Sequence, residues 1–261
     1  MANHFLAIGF AVRDQDDVDE LAARIIDEGQ PVRVRGGQYI RWAPGGGAEV
    51  WAQFAGRRMV GLTPHFAGST ALRAGIIDRV HLPDDSALEG GLHAWANAPA
   101  DGPLDQGEYP FVFAVPDFRG LDRMRVPAAA RVQLAAFAHE LDVHASEAAY
   151  RASQQAEVKF APESFIPLGM FVEEGQAPVP LALIAGHVLA AERRTNPAGG
   201  PFWWMHVRTL GAEIDVVAEE ALVPEPPTAG GIVSGEFYLS GRVTPDVPVS
   251  RRSWWQRISG R

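Results

Sequence analysis

The chain has 261 residues, 47% of them hydrophobic, with 23 Lys+Arg against 32 Asp+Glu and a formal charge of −9. That is ample apolar material for a core, and the wrong sign for a general nucleic-acid binder, which carries a basic footprint. Cysteine is absent, which removes disulfides, thiolate zinc sites and cysteine nucleophiles, and no apolar run approaches the ~20 residues of a membrane-spanning helix.

The opening HFLAIGFAV, His4 to Val12, alternates Leu6, Ile8, Phe10 and Val12 and predicts a strand, with no basic region of the kind a signal peptide carries. Together with the composition, this gives a cytoplasmic expectation. Asp14 or Asp16 offers an N-cap, and Val18, Leu21, Ala22, Ile25 and Ile26 then recur at helical spacing up to Gly29, with acids in the first turn where the helix dipole favours them. GQYIRW, AEVWAQF and RMVGLTPHF read as strands, with APGGG as the hairpin between the first two. The expected N-terminal order is therefore β-α-β-β-β.

AGIIDRVHL, GGLHAWANA and YPFVFAVPDF add strands between turn-rich segments. ARVQLAAFAHEL fits either a strand or a helix start, whereas SEAAYRASQQAE predicts a helix capped by Ser146. A Pro/Gly-rich connector leads to LALIAGHVLAAERRT, PFWWMHVRTLG, AEIDVVAEEAL and IVSGEFYLSGRV, four strands with Gly186 inside the first. A glycine there suits a bulge or a sharp coil. Short, twisted strands with glycine corners from Leu181 to Val243 resemble an OB-fold barrel, which is five-stranded. The expected fold is α+β: a mainly antiparallel β-rich domain with two helices over 1–178, an OB-like barrel over 179–245, and a tail over 246–261.

Several constellations bear on chemistry. HELDVH places His139 and His144 five apart, out of phase on a helix and on opposite faces of a strand, so the pair does not form a local metal site. The N-terminal β-α-β-β-β order resembles one module of the vicinal oxygen chelate superfamily, and by position His4 and Glu49 match that family's metal-ligating His and Glu. The resemblance implies a divalent metal and lyase, isomerase or dioxygenase chemistry, but two ligands fall short of the three that catalytic zinc takes. The simpler expectation makes Glu49 a solvated carboxylate on the same strand face as Trp51 and Gln53. No nucleotide-binding glycine motif, P-loop or G-x-S-x-G elbow occurs.

Two candidate binding surfaces remain. On PFWWMHVRTLG, Phe202, Trp204, His206 and Arg208 share one face, suited to stacking rings with phosphate contacts nearby. The tail SRRSWWQRISGR carries four arginines, no acid, and Trp254, Trp255 and Arg257 close together, a composition that suits a protein partner or an anionic membrane surface. Lys159 is the only lysine, and the arginine bias reads as codon usage. The sequence thus favours a non-catalytic cytoplasmic binding or adaptor protein with no cofactor, acting through barrel, tail or inter-domain groove. The alternative is the metal-dependent enzyme.

Overall fold

The computed structural model describes residues 3–81, 86–155, 159–170 and 178–245. It is an α+β chain with an antiparallel four-stranded sheet and a closed eight-stranded barrel.

The first departure from expectation comes at the start. His4 to Val12 pairs with no strand among the described residues: Leu6–Ile8 form a single 3-10 turn, and Gly9 follows with φ +77°. Phe10 N–H then bonds back to the Phe5 carbonyl at 2.9 Å. The alternation of apolar residues was real at Phe10 and Val12, which are buried, but a left-handed glycine ends an extended run before it can pair.

Helix α1 (Gln15–Glu28) is capped by Asp14, whose side chain accepts from Asp17 N–H, and Asp16 and Asp17 sit in its first turn. Strand β1 (Gln30–Val34) precedes the expected three, β2 (Gly37–Gly45), β3 (Ala48–Ala55) and β4 (Arg58–Phe66), which form a meander in that order. The β2–β3 turn needs its glycines: Gly45, Gly46 and Gly47 have φ of +132°, +66° and +89°, values that side-chain-bearing residues rarely adopt. The N-terminal order is thus α-β-β-β-β.

Strands β5 (Leu72–Val80), β6 (Gly91–Ala96), β7 (Pro110–Ala114) and β8 (Ala128–Ala138) follow, then β9 (Asp142–His144), α2 (Glu147–Ser153) and β10 (Ser164–Pro167). Ser146 caps α2 as expected, accepting from Ala149 N–H at 3.2 Å. The last four strands are β11 (Leu181–Thr195), β12 (Pro201–Thr209), β13 (Ala212–Glu219) and β14 (Ile232–Pro245). The barrel runs β11-β12-β13-β8-β5-β6-β7-β14 and closes where β14 returns to β11. Most pairs are antiparallel, but β13–β8 and β14–β7 are parallel.

β8 and β14 also pair directly, from Ala136↔Leu239 to Ala130↔Pro245. Ala135 and Ala136 bond β13 on one edge and β14 on the other. The β8–β14 ribbon therefore runs through the ring, closed at one end by β11–β13 and at the other by β5–β7. The strands on either side of residue 178 belong to one hydrogen-bonded sheet.

Period-two alternation fills the interior with Leu134 and Ala136 of β8, Met205 and Val207 of β12, Val216 of β13 and Phe237 and Leu239 of β14. Ala135, Phe137 and Val217 point outward into a second core with Phe202, Phe66, α1 and the four-stranded sheet. β8 is therefore buried on both faces. That explains why LAAFA reads as a continuous apolar run rather than as alternation. In β11 the register slips between Val188 and Ala190, two residues beyond the expected Gly186. Gly186 instead permits close approach, since a Cβ there would meet the Val207 side chain at 2.5 Å.

Candidate functional site

The four-stranded sheet has two unlike faces. Ile40, Trp42, Val50, Ala52 and Phe54 pack with Leu21 and Ile25 of α1. The opposite face carries Tyr39, Arg41, Glu49, Trp51, Gln53 and, on β4, His65 directly across from Glu49. This second face turns to the barrel wall, where Gln133 of β8 and Ser240 and Arg242 of β14 meet it.

Here the expectation of a solvated Glu49 fails. Glu49 and Gln53 are each 1% exposed, because the barrel covers the strand face that sequence alone leaves open. Glu49 forms an ion pair with Arg41 and accepts from the Trp51 indole N–H at 3.0 Å. Burial alone would raise its pKa, but the Arg41 hydrogen bond, the neighbouring His65, the Arg41 charge and the Trp51 N–H together hold it below the usual range. The same hydrogen bond raises Arg41. Two guanidinium groups approach the Trp51 ring, Arg242 at 5.1 Å and Arg41 at 5.7 Å from its centroid. Arg242 in turn holds Asp117 at 3.1 Å.

His65 is fully buried, and burial pulls its pKa down to about 4 despite the nearby Glu49 carboxylate. Its Nε2 lies 3.1 Å from Gln133 Oε1 and its Nδ1 2.9 Å from Ser240 Oγ. With the amide oriented this way, a neutral ring donates through Nε2 and accepts the Ser240 hydroxyl at Nδ1. Three donors of this cluster, Arg41 Nε, Gln133 Nε2 and Arg242 Nε, are buried without a hydrogen-bond partner among the described residues. Orphaned donors in one place call for an acceptor.

The cluster leads outward through Tyr39. Its ring stands edge-on to Trp51 at 6.0 Å, and its hydroxyl donates to Leu88 O at 2.6 Å and accepts from Arg119 N–H at 3.0 Å. Burial pushes this hydroxyl up to about 12. Beyond Arg119 lies a cleft of about 730 Å³, lined by Arg33, Val34 and Arg35 at the end of β1 and by Arg119, Gly120, Asp122 and Arg123. Arg119 is fixed by Ala87 O at 2.6 Å and by Asp122 at 3.7 Å. Arg33, Arg35 and Arg123 have no ion-pair partner among the described residues.

The residues singled out from sequence lie elsewhere or inside this network. His4 stacks on Tyr238 at 4.2 Å and meets His139 Nε2 at 2.8 Å. Burial, then the His139 charge, lowers His4 to about 4, and Glu236 bonds the other His139 nitrogen at 3.2 Å. The structure does not bring His4 to Glu49, since the two share no partner. The strand that would carry His4 in a vicinal oxygen chelate module is the 3-10 turn described above. No three His, Asp or Glu side chains group as a metal-ligand set among the described residues. His144 sits apart from His139, near Ser234 at 3.5 Å.

Trp204, His206 and Arg208 share the outer face of β12, as the alternation predicts. Each is engaged internally: Trp204 donates to Asp215 at 2.9 Å under the Arg194 guanidinium, His206 meets Glu213 at 2.9 Å, and Arg208 meets Glu163 at 2.8 Å. Trp254, Trp255 and Arg257 lie outside the described residues.

The arginine cleft joins two segments far apart in the chain, 33–35 and 119–123. The chain-wide charge of −9 conceals it. Two local signals were available: VRVR puts Arg33 and Arg35 on one face of a strand, and RGLDRMR concentrates Arg119, Arg123 and Arg125 in seven residues. Comparison with protein-family models, with curated proteins and with solved structures gives no match. No helix among the described residues is long and apolar enough to cross a membrane.

Proposed function

We propose that this protein is a non-catalytic binding protein whose groove between the four-stranded sheet and the barrel takes a small ligand bearing several phosphate groups. The observation that carries the reading is the cleft lined by four arginines and one acid, on a chain of net charge −9. Unpaired guanidinium groups held together repel one another, and an anion relieves that cost. Arginine's planar fork matches phosphate oxygens in pairs. The cleft volume falls within the range of small-molecule sites, roughly 300–1,000 Å³. Tyr39 is fully buried and so offers no stacking platform, which points to recognition of the phosphates rather than of a base. A local cleft on an acidic body also argues against an extended nucleic acid.

Two finer readings accompany this one. The barrel end formed by β11, β12, β13, β8 and β14 supports an OB-like description of Leu181–Val243 with β8 as its fifth strand. The four arginines of 250–261, with no acid among them, support a second contact with a protein partner or an anionic membrane surface on the cytoplasmic side.

The test is calorimetric titration with tripolyphosphate at two salt concentrations. We expect saturable one-site binding that weakens as salt rises, and at least a tenfold loss in the Arg33→Glu/Arg123→Glu double variant. Unchanged binding in that variant, or none in the wild type at low salt, overturns the proposal.

A further inference from the structure

Sharing no lining residue with the arginine cleft, β9, β10, β11, β14 and α2 border a second cavity of about 260 Å³. Its two sides differ in chemistry. Asp142 and His144 project from the same face of β9, and Ser234 of β14 is the cross-strand partner of Asp142. Together they give one polar wall. Tyr150, Phe160, Ile166 and Leu183 supply the apolar remainder.

Two observations point to an occupant. Phe160 is one of the few large apolar side chains left open to water, 46% exposed, and it lines this cavity. Water contact on an aromatic ring is relieved when a ligand covers it. The Asp142 carboxylate is the only acidic or basic lining group apart from His144, and it makes no ion pair or side-chain hydrogen bond among the described residues. His144 Nε2 is turned to the Ser234 hydroxyl, and its ring stands edge-on to Tyr150 at 5.2 Å.

We propose that this cavity binds a compact apolar amine, with the ammonium group at the mouth against Asp142 and the hydrocarbon body among Tyr150, Phe160, Ile166 and Leu183. The carboxylate selects a cation by charge, and the apolar remainder of the cavity takes the hydrocarbon out of water. By comparison with benzene in a 150 Å³ cavity, the space admits a body on the order of ten heavy atoms. The site is independent of the arginine cleft, which takes the opposite charge.

Titration with 2-phenylethylammonium, with the uncharged 2-phenylethanol and the anionic 3-phenylpropionate as comparison probes, tests the assignment by calorimetry and by chemical shifts at Ser234 and Leu183. The ammonium probe should bind most tightly and the carboxylate least. Asp142→Asn, at an exposed position, should weaken the ammonium probe by about fivefold, the upper range for a solvent-accessible ion pair, and leave phenylethanol unchanged. Ile166→Trp, which fills the half-buried rim, should abolish binding of both. Equal affinity for all three probes, an undiminished ammonium affinity in Asp142→Asn, or shifts at residues outside this cavity would each overturn the proposal.

Discussion

Replacing Glu49 with alanine removes one partner of an ion pair whose carboxylate is 2% exposed and whose guanidinium is 34% exposed. Breaking a fully buried pair costs about 3–5 kcal/mol, and partial water access to Arg41 brings that to about 3. The Trp51 indole loses its acceptor in the same step, adding about 1 kcal/mol. The expected loss is therefore about 4 kcal/mol in urea unfolding, or a fall in Tm of roughly 10 °C for a chain of this size. Glu49→Gln keeps one acceptor oxygen, which serves Arg41 or Trp51 but not both, and should lose somewhat less than alanine. The pH dependence has a definite sign. Because the folded carboxyl is held below its usual value, its contribution is present above the unfolded pKa near 4.5 and disappears as pH falls through the folded value. Wild type and Glu49→Gln should therefore converge in strong acid. A Glu49→Ala change below about 0.5 kcal/mol, the range of solvated surface positions, would refute the buried network.

His65, pulled down to about 4 by burial, must fold neutral, so acidification from pH 6.5 towards 4 should cost the protein about 3 kcal/mol at this residue; unfolding free energies of His65→Gln should show a correspondingly flatter pH slope, and an unchanged slope would show that the ring titrates normally. At Gly68 an added Cβ would lie 1.9 Å from Asp215 Oδ2, so Gly68→Ala should displace the Asp215 bonds to Thr70 and Trp204 and lower stability by about 2–3 kcal/mol; a neutral substitution, measured by thermal melt, would contradict that packing. Deleting 246–261 should leave Tm nearly unchanged and weaken binding to anionic vesicles in a salt-dependent way. A Tm lowered by several degrees would make the tail part of the core.

The strands of the sheet and barrel are largely legible, because alternation at 37–66, 201–219 and 232–243 sets an apolar face against a more polar one along each strand. Two elements show where local pattern stops. His4 to Val12 alternates like a strand, but Gly9 turns the chain out of the extended region and docks it on Gly200, a contact 191 residues away that no window contains. QPVRV of β1 is a short run with no buried residue, so its hydrophobic signal is weak. Glu49, Trp51 and Gln53 were correctly grouped on one face, yet whether that face is wet depends on β8 and β14, distant in sequence. The same is true of the cleft: Arg33 and Arg123 belong to it only because the barrel brings the 118–123 turn beside the end of β1. Tertiary packing decides which of these side chains converge.

The claim that the arginine groove takes phosphate groups is tested most directly by following arginine Nε–Hε resonances during titration with tripolyphosphate. Arg33, Arg35, Arg119 and Arg123 line the cleft, so their signals should shift together along one saturation curve, with smaller changes at Arg41 and Arg242 behind Trp51. Arginines on the far side, such as Arg151 and Arg193, should stay in place. Uniform small shifts across all arginines, without saturation, would mean that the anion only screens the surface and that the groove has no affinity for it.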